Sequence, residues 1–183
     1  MPDYEIIIAE GTLTSTATSI NITSIPATYS HLELFVNSRS TKSSSDSAGG
    51  NLNVNGITSN SYGQIGTYIN NSVTPTIYNL TGSGGVYTRN QIDNAIRIMN
   101  DGMPANAYAT CKIVMPNYSN TTISSKGFLI QNCTSSTNTS TYWELITSGF
   151  VVTSAAINRI ELFSNSTSYP FKTGTSYYLA GWK

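Results

Sequence analysis

The sequence predicts an all-β fold, a single antiparallel β-sandwich of jelly-roll-like type that spans residues 1–183. Three observations lead to this prediction. Ser, Thr and Asn together occupy 70 of the 183 positions, and these residues favour turns and strands over helix interiors. Short apolar stretches with a period of two recur along the chain, each bounded by Gly, Pro, Asn or Ser. No internal repeat and no linker divides the chain, whose length suits one such domain.

The first half of the chain opens with two short apolar stretches. Residues 4–14 and 20–23 alternate apolar with polar side chains, and we expect them to form a first antiparallel pair. The clearest period-two stretch follows at residues 31–37, where every second residue is large and apolar. Residues 38–50 lack large apolar side chains, which predicts a long surface loop. Residues 52–55 alternate again and predict a short strand.

The second half gives strand signals of uneven strength. Residues 59–87 contain many turn formers, and the pattern there does not determine a register. Residues 89–100 fit either a helical face or a strand, and we predict a strand because no convincing helix cap is present. We predict the remaining strands at residues 108–115, 123–132, 142–148, 157–163 and 176–182. A total of nine to eleven strands fills two packed sheets.

The charge of the chain limits its partners. Nine basic and nine acidic residues give a net charge of zero, and they are spread thinly along the sequence. Because no basic stripe is available to neutralise phosphates, we do not expect nucleic-acid binding. Residues 1–5 are acidic where a signal peptide is basic, and the longest early apolar run is residues 6–9. We therefore expect neither an export signal nor a membrane span.

The sequence lacks most of the parts that an enzyme needs. His31 is the single histidine, and no Gly-x-Ser-x-Gly turn accompanies it, so we expect a surface or strand-edge histidine. A glycosidase needs two carboxylates beside the scissile bond. Glu33, Glu144 and Glu161 lie in predicted strands beside aromatic residues, but spacing alone does not bring two of them together. Residues 82–85 lack the lysine of a phosphate-binding loop and predict a flexible turn. We predict no catalytic, cofactor-binding or metal-binding residues.

The two cysteines, Cys111 and Cys133, lie 22 positions apart in the sequence. No zinc-binding spacing includes them. They either form a disulfide between neighbouring strands or remain two free, buried thiols. Synthesis in a reducing cytoplasm favours the free thiols.

Twelve tyrosines and two tryptophans are the remaining distinctive feature of the composition. Aromatic rings backed by Asn and Thr contact sugars or other proteins, because a ring gives a large contact area with little loss of entropy. The alternative is that most of these rings line the core and the strand edges. Tyr62, Tyr68, Tyr78 and Tyr87 lie in a Gly-rich region of weak periodicity, and we predict that they form an exposed contact surface.

The two ends of the chain carry distinctive strand and turn motifs. A short strand ends in Ser-Ile-Pro at residues 24–26 and leads through Thr-Tyr into the long apolar strand. In these motifs the chain resembles a family of small virion structural proteins of tailed bacteriophages; the similar segments are residues 4–8, 19–32, 52–56, 113–118, 156–162 and 174–183. The likeness covers the chain except for residues 59–106. At its end the chain has Ala-Gly-Trp where the family pattern has Tyr-Gly-Ile.

The resemblance implies a virion protein, synthesised in the host cytoplasm and displayed on the particle as a β-sandwich. The first expected function is a capsid decoration or cement protein, since strand signals begin at Tyr4 and leave no length for a fibre shaft. The second is a tail-fibre or baseplate adhesin that binds host-surface glycan through the Tyr-rich loops, and a glycosidase is third. Low charge would leave neutral patches on a monomer, so we expect a homo-oligomer, with a trimer favoured, in contact with other virion proteins.

Overall fold

The computed structural model describes residues 5–44, 47–70, 74–79, 89–134 and 143–183. These residues form twelve strands and no helix. The strands are β1 (Glu5–Thr12), β2 (Ser19–Ile22), β3 (His31–Ser38), β4 (Ser47–Val54), β5 (Tyr62–Asn70), β6 (Thr76–Asn79), β7 (Ile92–Met99), β8 (Ala109–Pro116), β9 (Ser125–Thr134), β10 (Trp143–Val152), β11 (Ile160–Ser164) and β12 (Ser176–Trp182).

The strands form two antiparallel sheets. The larger sheet has the order β1-β12-β3-β8-β9-β10-β5-β6, and the smaller has the order β2-β11-β4-β7. All neighbouring strands in both sheets run antiparallel. The chain crosses repeatedly between the sheets, with β2, β4, β7 and β11 in the smaller one, whereas β5–β6 and β8–β10 follow one another within the larger one. This wrapping is jelly-roll-like and confirms the predicted all-β antiparallel sandwich.

The apolar core lies between the two sheets. Strand β3 shows the expected period of two, since Leu32, Leu34 and Val36 are fully buried and the residues between them are not. The smaller sheet contributes the buried apolar residues Ile20, Ile22, Leu52, Val54, Ile160 and Leu162. Burial of each such side chain stabilises the fold by about 1.5–3 kcal/mol. One face of each sheet is therefore fixed by the core, and the other is available for contacts.

Two expectations for the first half of the chain are wrong. Strands β1 and β2 do not pair, because β1 lies beside β12 and β2 lies beside β11 in the other sheet. The predicted loop at residues 38–50 contains the start of β4, whose first four residues pair with β7. Small residues are required here, since a Cβ on Gly50 would lie 2.6 Å from Cγ1 of Ile96. The start of β4 therefore lacks the large apolar side chains by which a strand is recognised in a sequence.

The stretch at residues 89–100 contains strand β7, which confirms strand over helix. Its mixed periodicity has a physical cause in a β-bulge. Asn94 has a φ of +51°, and the register with β4 shifts at this point. The N–H of Asn94 donates to Oδ1 of Asn51 at 3.1 Å. Because of the bulge, Ala95 and Ile96 are both buried instead of alternating.

The weakly patterned residues 59–87 contain strands β5 and β6. Gly63 and Gly66 interrupt the side-chain pattern of β5, which is why its register was not predictable from the sequence. Strand β6 pairs with β5 at the edge of the larger sheet. The flexible turn predicted at residues 82–85 lies outside the described residues.

A buried arginine anchors the segment that leads from β7 in the smaller sheet to β8 in the larger one. Arg39 is 2% exposed, and its guanidinium donates to four backbone carbonyl oxygens, those of Asp101, Met103, Pro104 and Ala107. It also donates to the Asp101 carboxylate at 3.2 Å, which accepts a second hydrogen bond from Lys172. A buried charge is tolerated when its donors are satisfied in this way.

Replacement of Asp101 by Asn is expected to destabilise the fold in a pH-dependent manner. The contacts with Lys172 and Arg39 hold the pKa of Asp101 below its usual range. A carboxyl group whose pKa is lowered by folding adds stability above its unfolded pKa, about 3.9, and this contribution is lost as the pH falls through the lower folded pKa. The difference in melting temperature between wild type and D101N should therefore be large near neutral pH and should shrink progressively as the pH falls below about 4. Thermal unfolding followed by circular dichroism measures it, and a difference independent of pH contradicts the assigned role.

Candidate functional site

The tyrosine surface predicted from the sequence is contradicted at Tyr62. This residue of β5 is fully buried, and its hydroxyl accepts a hydrogen bond from the N–H of Val54 in β4 at 3.0 Å. Burial raises the pKa of Tyr62 to about 12. Its ring therefore links the two sheets inside the core and contacts no external partner. Tyr68 pairs with the buried Leu145 and is half buried.

The structure describes the side chain of neither of the other two tyrosines. Tyr78 occupies the register position opposite Gly66 on β6. Tyr87 lies outside the described residues. The candidate surfaces are the outward faces of the two sheets, which the sequence did not single out.

Cys111 and Cys133 are both free. They lie on the neighbouring strands β8 and β9, but the register pairs Cys111 with Asn132 and Cys133 with Thr110. Side chains alternate between the two faces of a strand, so Cys111 is buried in the core and Cys133 is exposed on the outward face. Burial raises the pKa of the Cys111 thiol. This geometry is incompatible with a disulfide between them, and only one of the two thiols is buried.

The three glutamates of the glycosidase alternative are not brought together. Glu33 of β3 and Glu144 of β10 belong to the larger sheet, and the two strands between them separate their backbones by roughly 14 Å. Glu33 instead pairs with Lys112 at 2.8 Å. Glu161 lies on β11 in the smaller sheet. These residues therefore do not form the carboxylate pair that glycoside hydrolysis requires.

His31 is the first residue of β3 and lies at the end of the strand, as expected from the sequence. Its ring stacks on Trp182 with 5.8 Å between the ring centroids, and its Nδ1 is 3.2 Å from Oγ of Ser30. Across the described part of the chain, no three His, Cys, Asp or Glu side chains are grouped as metal ligands. None of the described segments is a helix with the length and apolarity needed to cross a membrane.

The first candidate surface is the outward face of strands β8, β9, β10, β5 and β6, called the apolar face below. It carries large side chains that are between 36% and 73% exposed, namely Ile65, Ile77, Leu129, Ile146 and Val152. The register brings them into adjacent rows. One row runs from Ile146 through Thr67 to Ile77, and the next runs from Leu129 through Ser148 to Ile65. Residues in neighbouring rows are close enough for contact between large side chains.

The apolar face carries little charge. Among its described outward residues, the charged side chains are Lys112 and Glu144, and Lys112 is paired with Glu33. Phe150 lies between two glycines in the register, Gly127 on β9 and Gly63 on β5. A water-facing sheet normally presents polar side chains in these positions. The face therefore has the composition of a contact surface.

The second candidate surface is a groove of about 480 Å³ on the outward side of the smaller sheet, called the polar groove below. Strand β11 lies at its centre and contributes Glu161 and Phe163. The register places Glu161 between Asn21 of β2 and Asn53 of β4. Phe163 lies one row further along the same strand and is half buried. The groove thus combines one aromatic ring with amide, hydroxyl and charged groups.

The charges in the polar groove are balanced. Nη2 of Arg159 donates to Oε2 of Glu161 at 3.0 Å and to Oδ1 of Asn21 at 2.9 Å. Both charged residues line the groove, so their opposite charges largely cancel. An uncharged ligand therefore fits this groove better than an ion of either sign.

Two buried polar atoms of groove-lining residues have no hydrogen-bond partner among the described residues, Oδ1 of Asn53 and Nε of Arg159. Asn53 is 5% exposed. The orientation of its amide is fixed, because Nδ2 donates to the carbonyl oxygens of Ile57 and Asn90, and only a nitrogen can donate. Oδ1 is left as a buried acceptor. Buried acceptors without a partner are uncommon in folded proteins.

Comparison with known proteins assigns no family. No protein-family model matches the chain, and no curated protein matches it. The structure of the infectious bursal disease virus Gt strain is similar at 15% identity over 99% of this chain and 38% of that chain, with a TM-score of 0.12. The crystal structure of the infectious bursal disease virus VP2 subviral particle is similar at 13% identity over 99% of this chain and 40% of that chain, with a TM-score of 0.11. This chain spans about two fifths of the length of those chains, and such TM-scores support no conclusion about fold or function.

In the folded protein at high dilution, a water-soluble maleimide is expected to react with Cys133 and not with Cys111. The reason is that Cys133 is exposed on the outward face of β9 and Cys111 is buried. Intact-mass spectrometry should show one adduct per chain before unfolding and two after unfolding in guanidinium. C133S should lose the adduct formed in the folded state, whereas C111S should keep it. Equal reaction of both thiols in the folded protein would contradict this assignment.

Proposed function

We propose that the chain is a non-enzymatic structural protein whose copies assemble through the apolar face, and that it serves as a decoration or cement protein on a bacteriophage capsid. The observation that carries the proposal is the group of large exposed side chains on the four adjacent strands β9, β10, β5 and β6, with two charged residues among the described outward positions of the face. The phage setting rests on the motif resemblance at both ends of the chain. The two parts of the proposal have separate tests.

The apolar face is large enough for a stable interface. At about 3.3 Å per residue and 4.8 Å between strands, its five strands cover roughly 650 Å². Two copies packed through this face would bury about 1,300 Å², which lies within the range of about 1,200–2,000 Å² for stable complexes. Sheets that pack face to face interdigitate their large side chains. Side chains such as Ile146 and Leu129 would then become part of a second apolar core.

The occupant that fits the apolar face is a second copy of the chain. A two-fold axis brings the same patch of two subunits together, and a patch with few charges can meet itself without opposing like charges. Lys112 and Glu144 carry opposite signs on this face, so a two-fold arrangement can also match them. The trimer favoured by the sequence stays a prediction, and the measured mass distinguishes it from a dimer.

Replacement of Ile146 by Lys is expected to convert the oligomer to a monomer. A lysine at the centre of the apolar face would place an unpaired charge in the interface, which is costly to bury. The mass in solution is measured by light scattering after size exclusion at micromolar concentrations. Ile7→Lys is the matched control, because Ile7 is 56% exposed on β1 at the other edge of the sheet, and this variant should keep the wild-type mass.

The reactivity of Cys133 gives an independent measure of the same interface. Cys133 lies on β9 within the apolar face, so its reaction with maleimide should slow as the wild-type concentration rises. In Ile146→Lys the rate should stay independent of concentration. A wild-type protein that is monomeric and labelled equally fast at all concentrations would contradict assembly through this face.

The role on the particle is tested with particles that lack the protein. Particles with and without it are compared for resistance to heat and osmotic shock, and the purified protein is then added back. A cement protein should restore the resistance, because contacts across neighbouring subunits oppose their separation. Ile146→Lys should restore less than Ile7→Lys. Unchanged resistance in particles without the protein would contradict the decoration role.

A second candidate function is a receptor-binding protein that contacts glycan on the host surface. The Tyr-rich segment does not support it at Tyr62, which is buried. The observation in its favour is the polar groove on the other sheet, with Phe163 and two buried polar atoms that have no partner in the described structure. The chemistry of this groove is separate from assembly through the apolar face.

A further inference from the structure

We propose that the polar groove binds a neutral saccharide, with a sugar ring against Phe163 and sugar hydroxyls hydrogen-bonded to Asn53 and Arg159. The site lies on the smaller sheet, whereas assembly uses the larger one. The proposal therefore deepens the second candidate function, on which it rests, and is independent of assembly through the apolar face.

Two buried polar atoms of groove-lining residues have no hydrogen-bond partner in the described structure. Oδ1 of Asn53 is an acceptor and Nε of Arg159 is a donor. Each such atom destabilises the folded protein until a partner is supplied. Both belong to residues that line the same groove, so one ligand can satisfy the two once small side-chain movements open these buried atoms to the groove. The ligand must then offer a donor and an acceptor at neighbouring positions.

Hydroxyl groups meet this requirement. A hydroxyl both donates and accepts, so neighbouring hydroxyls of a sugar can donate to Asn53 and accept from Arg159. A carboxylate or phosphate only accepts and would leave Oδ1 of Asn53 without a donor. It would also lie near the carboxylate of Glu161, while an ammonium group would lie near Arg159. The donor and acceptor pattern and the balanced charge both favour a neutral polyhydroxylated ligand.

The aromatic ring selects a sugar among such ligands. Phe163 is half buried at the centre of the groove, and the register places the short side chains of Ser19 and Asn51 on either side of it. This arrangement leaves room for the C–H face of a pyranose, since an aromatic ring offers a flat apolar contact area. Phe163 and Asn53 occupy neighbouring rows, about 7–8 Å apart diagonally, which one sugar ring can span.

The volume is consistent with a ligand of this size. A groove of about 480 Å³ lies within the range of about 300–1,000 Å³ for small-molecule sites. We therefore assign the site to one residue of a neutral glycan.

The test begins with the wild-type protein on a printed array of neutral and acidic oligosaccharides. The best neutral oligosaccharide is then titrated by calorimetry against wild type, Phe163→Ala and Asn53→Ala. Loss of the ring contact or of the acceptor should each weaken binding roughly tenfold or more. The matched controls are Phe35→Ala and Asn37→Ala on β3 of the larger sheet, where Phe35 stacks on Tyr178. Both controls should bind as wild type does.

A third variant keeps the test informative when an alanine variant does not fold. Glu161→Gln preserves the shape of the side chain and removes the charge that balances Arg159. It should gain binding to acidic oligosaccharides on the array, because Arg159 is then an unpaired cation in the groove. A role of Glu161 in folding alone would change the melting temperature without this shift in preference.

Three outcomes would overturn the proposal. They are wild-type binding to no oligosaccharide on the array, wild-type binding to acidic oligosaccharides only, and equal affinity in wild type and a folded Phe163→Ala. Ile146→Lys should bind the neutral oligosaccharide as wild type does, since Ile146 lies on the other sheet. A monomeric wild type that still binds sugar contradicts the assembly proposal alone, so the two failures are distinguishable.

Discussion

The structure depends on one geometric constraint, the alternation of side chains between the two faces of each strand in a fixed antiparallel register. The core accepts Leu32, Leu34 and Val36 of β3 only in this register, and a slip by one residue would expose all three. Once these are fixed, the outward residues of every neighbouring strand are fixed as well. The same constraint separates Cys111 from Cys133, aligns Ile146 with Ile77 through Thr67, and sets Glu161 beside Asn53.

The sequence predicts local features of this fold better than long-range ones. A period of two located β3 and most strands of the second half, because alternation is a property of each segment alone. It placed β1 beside β2 wrongly, since periodicity does not report which sheet a strand joins. The start of β4 was missed because Gly50 must be small against Ile96. The polar groove was missed because Glu161 and Asn53 are distant in sequence, and only the register makes them neighbours.

Two arginines differ in how fully their hydrogen-bond donors are satisfied. The guanidinium of Arg39 is surrounded by carbonyl oxygens and one carboxylate, and it holds the segment before β8 in place. Arg159 is bonded to Glu161 and Asn21, but its Nε has no partner in the described structure. A satisfied guanidinium stabilises the fold, whereas an incompletely satisfied one in a groove retains capacity for a ligand.

The placement of the apolar face and the polar groove on opposite outer sides of the sandwich has a consequence for valency. In a dimer packed through the larger sheets, the two grooves point in opposite directions. Both cannot then engage ligands on a single flat surface, so dimerisation gives no gain in avidity there, because avidity requires simultaneous engagement. Such a dimer would instead bridge two ligand-bearing surfaces and would act as a cross-linker with one site for each.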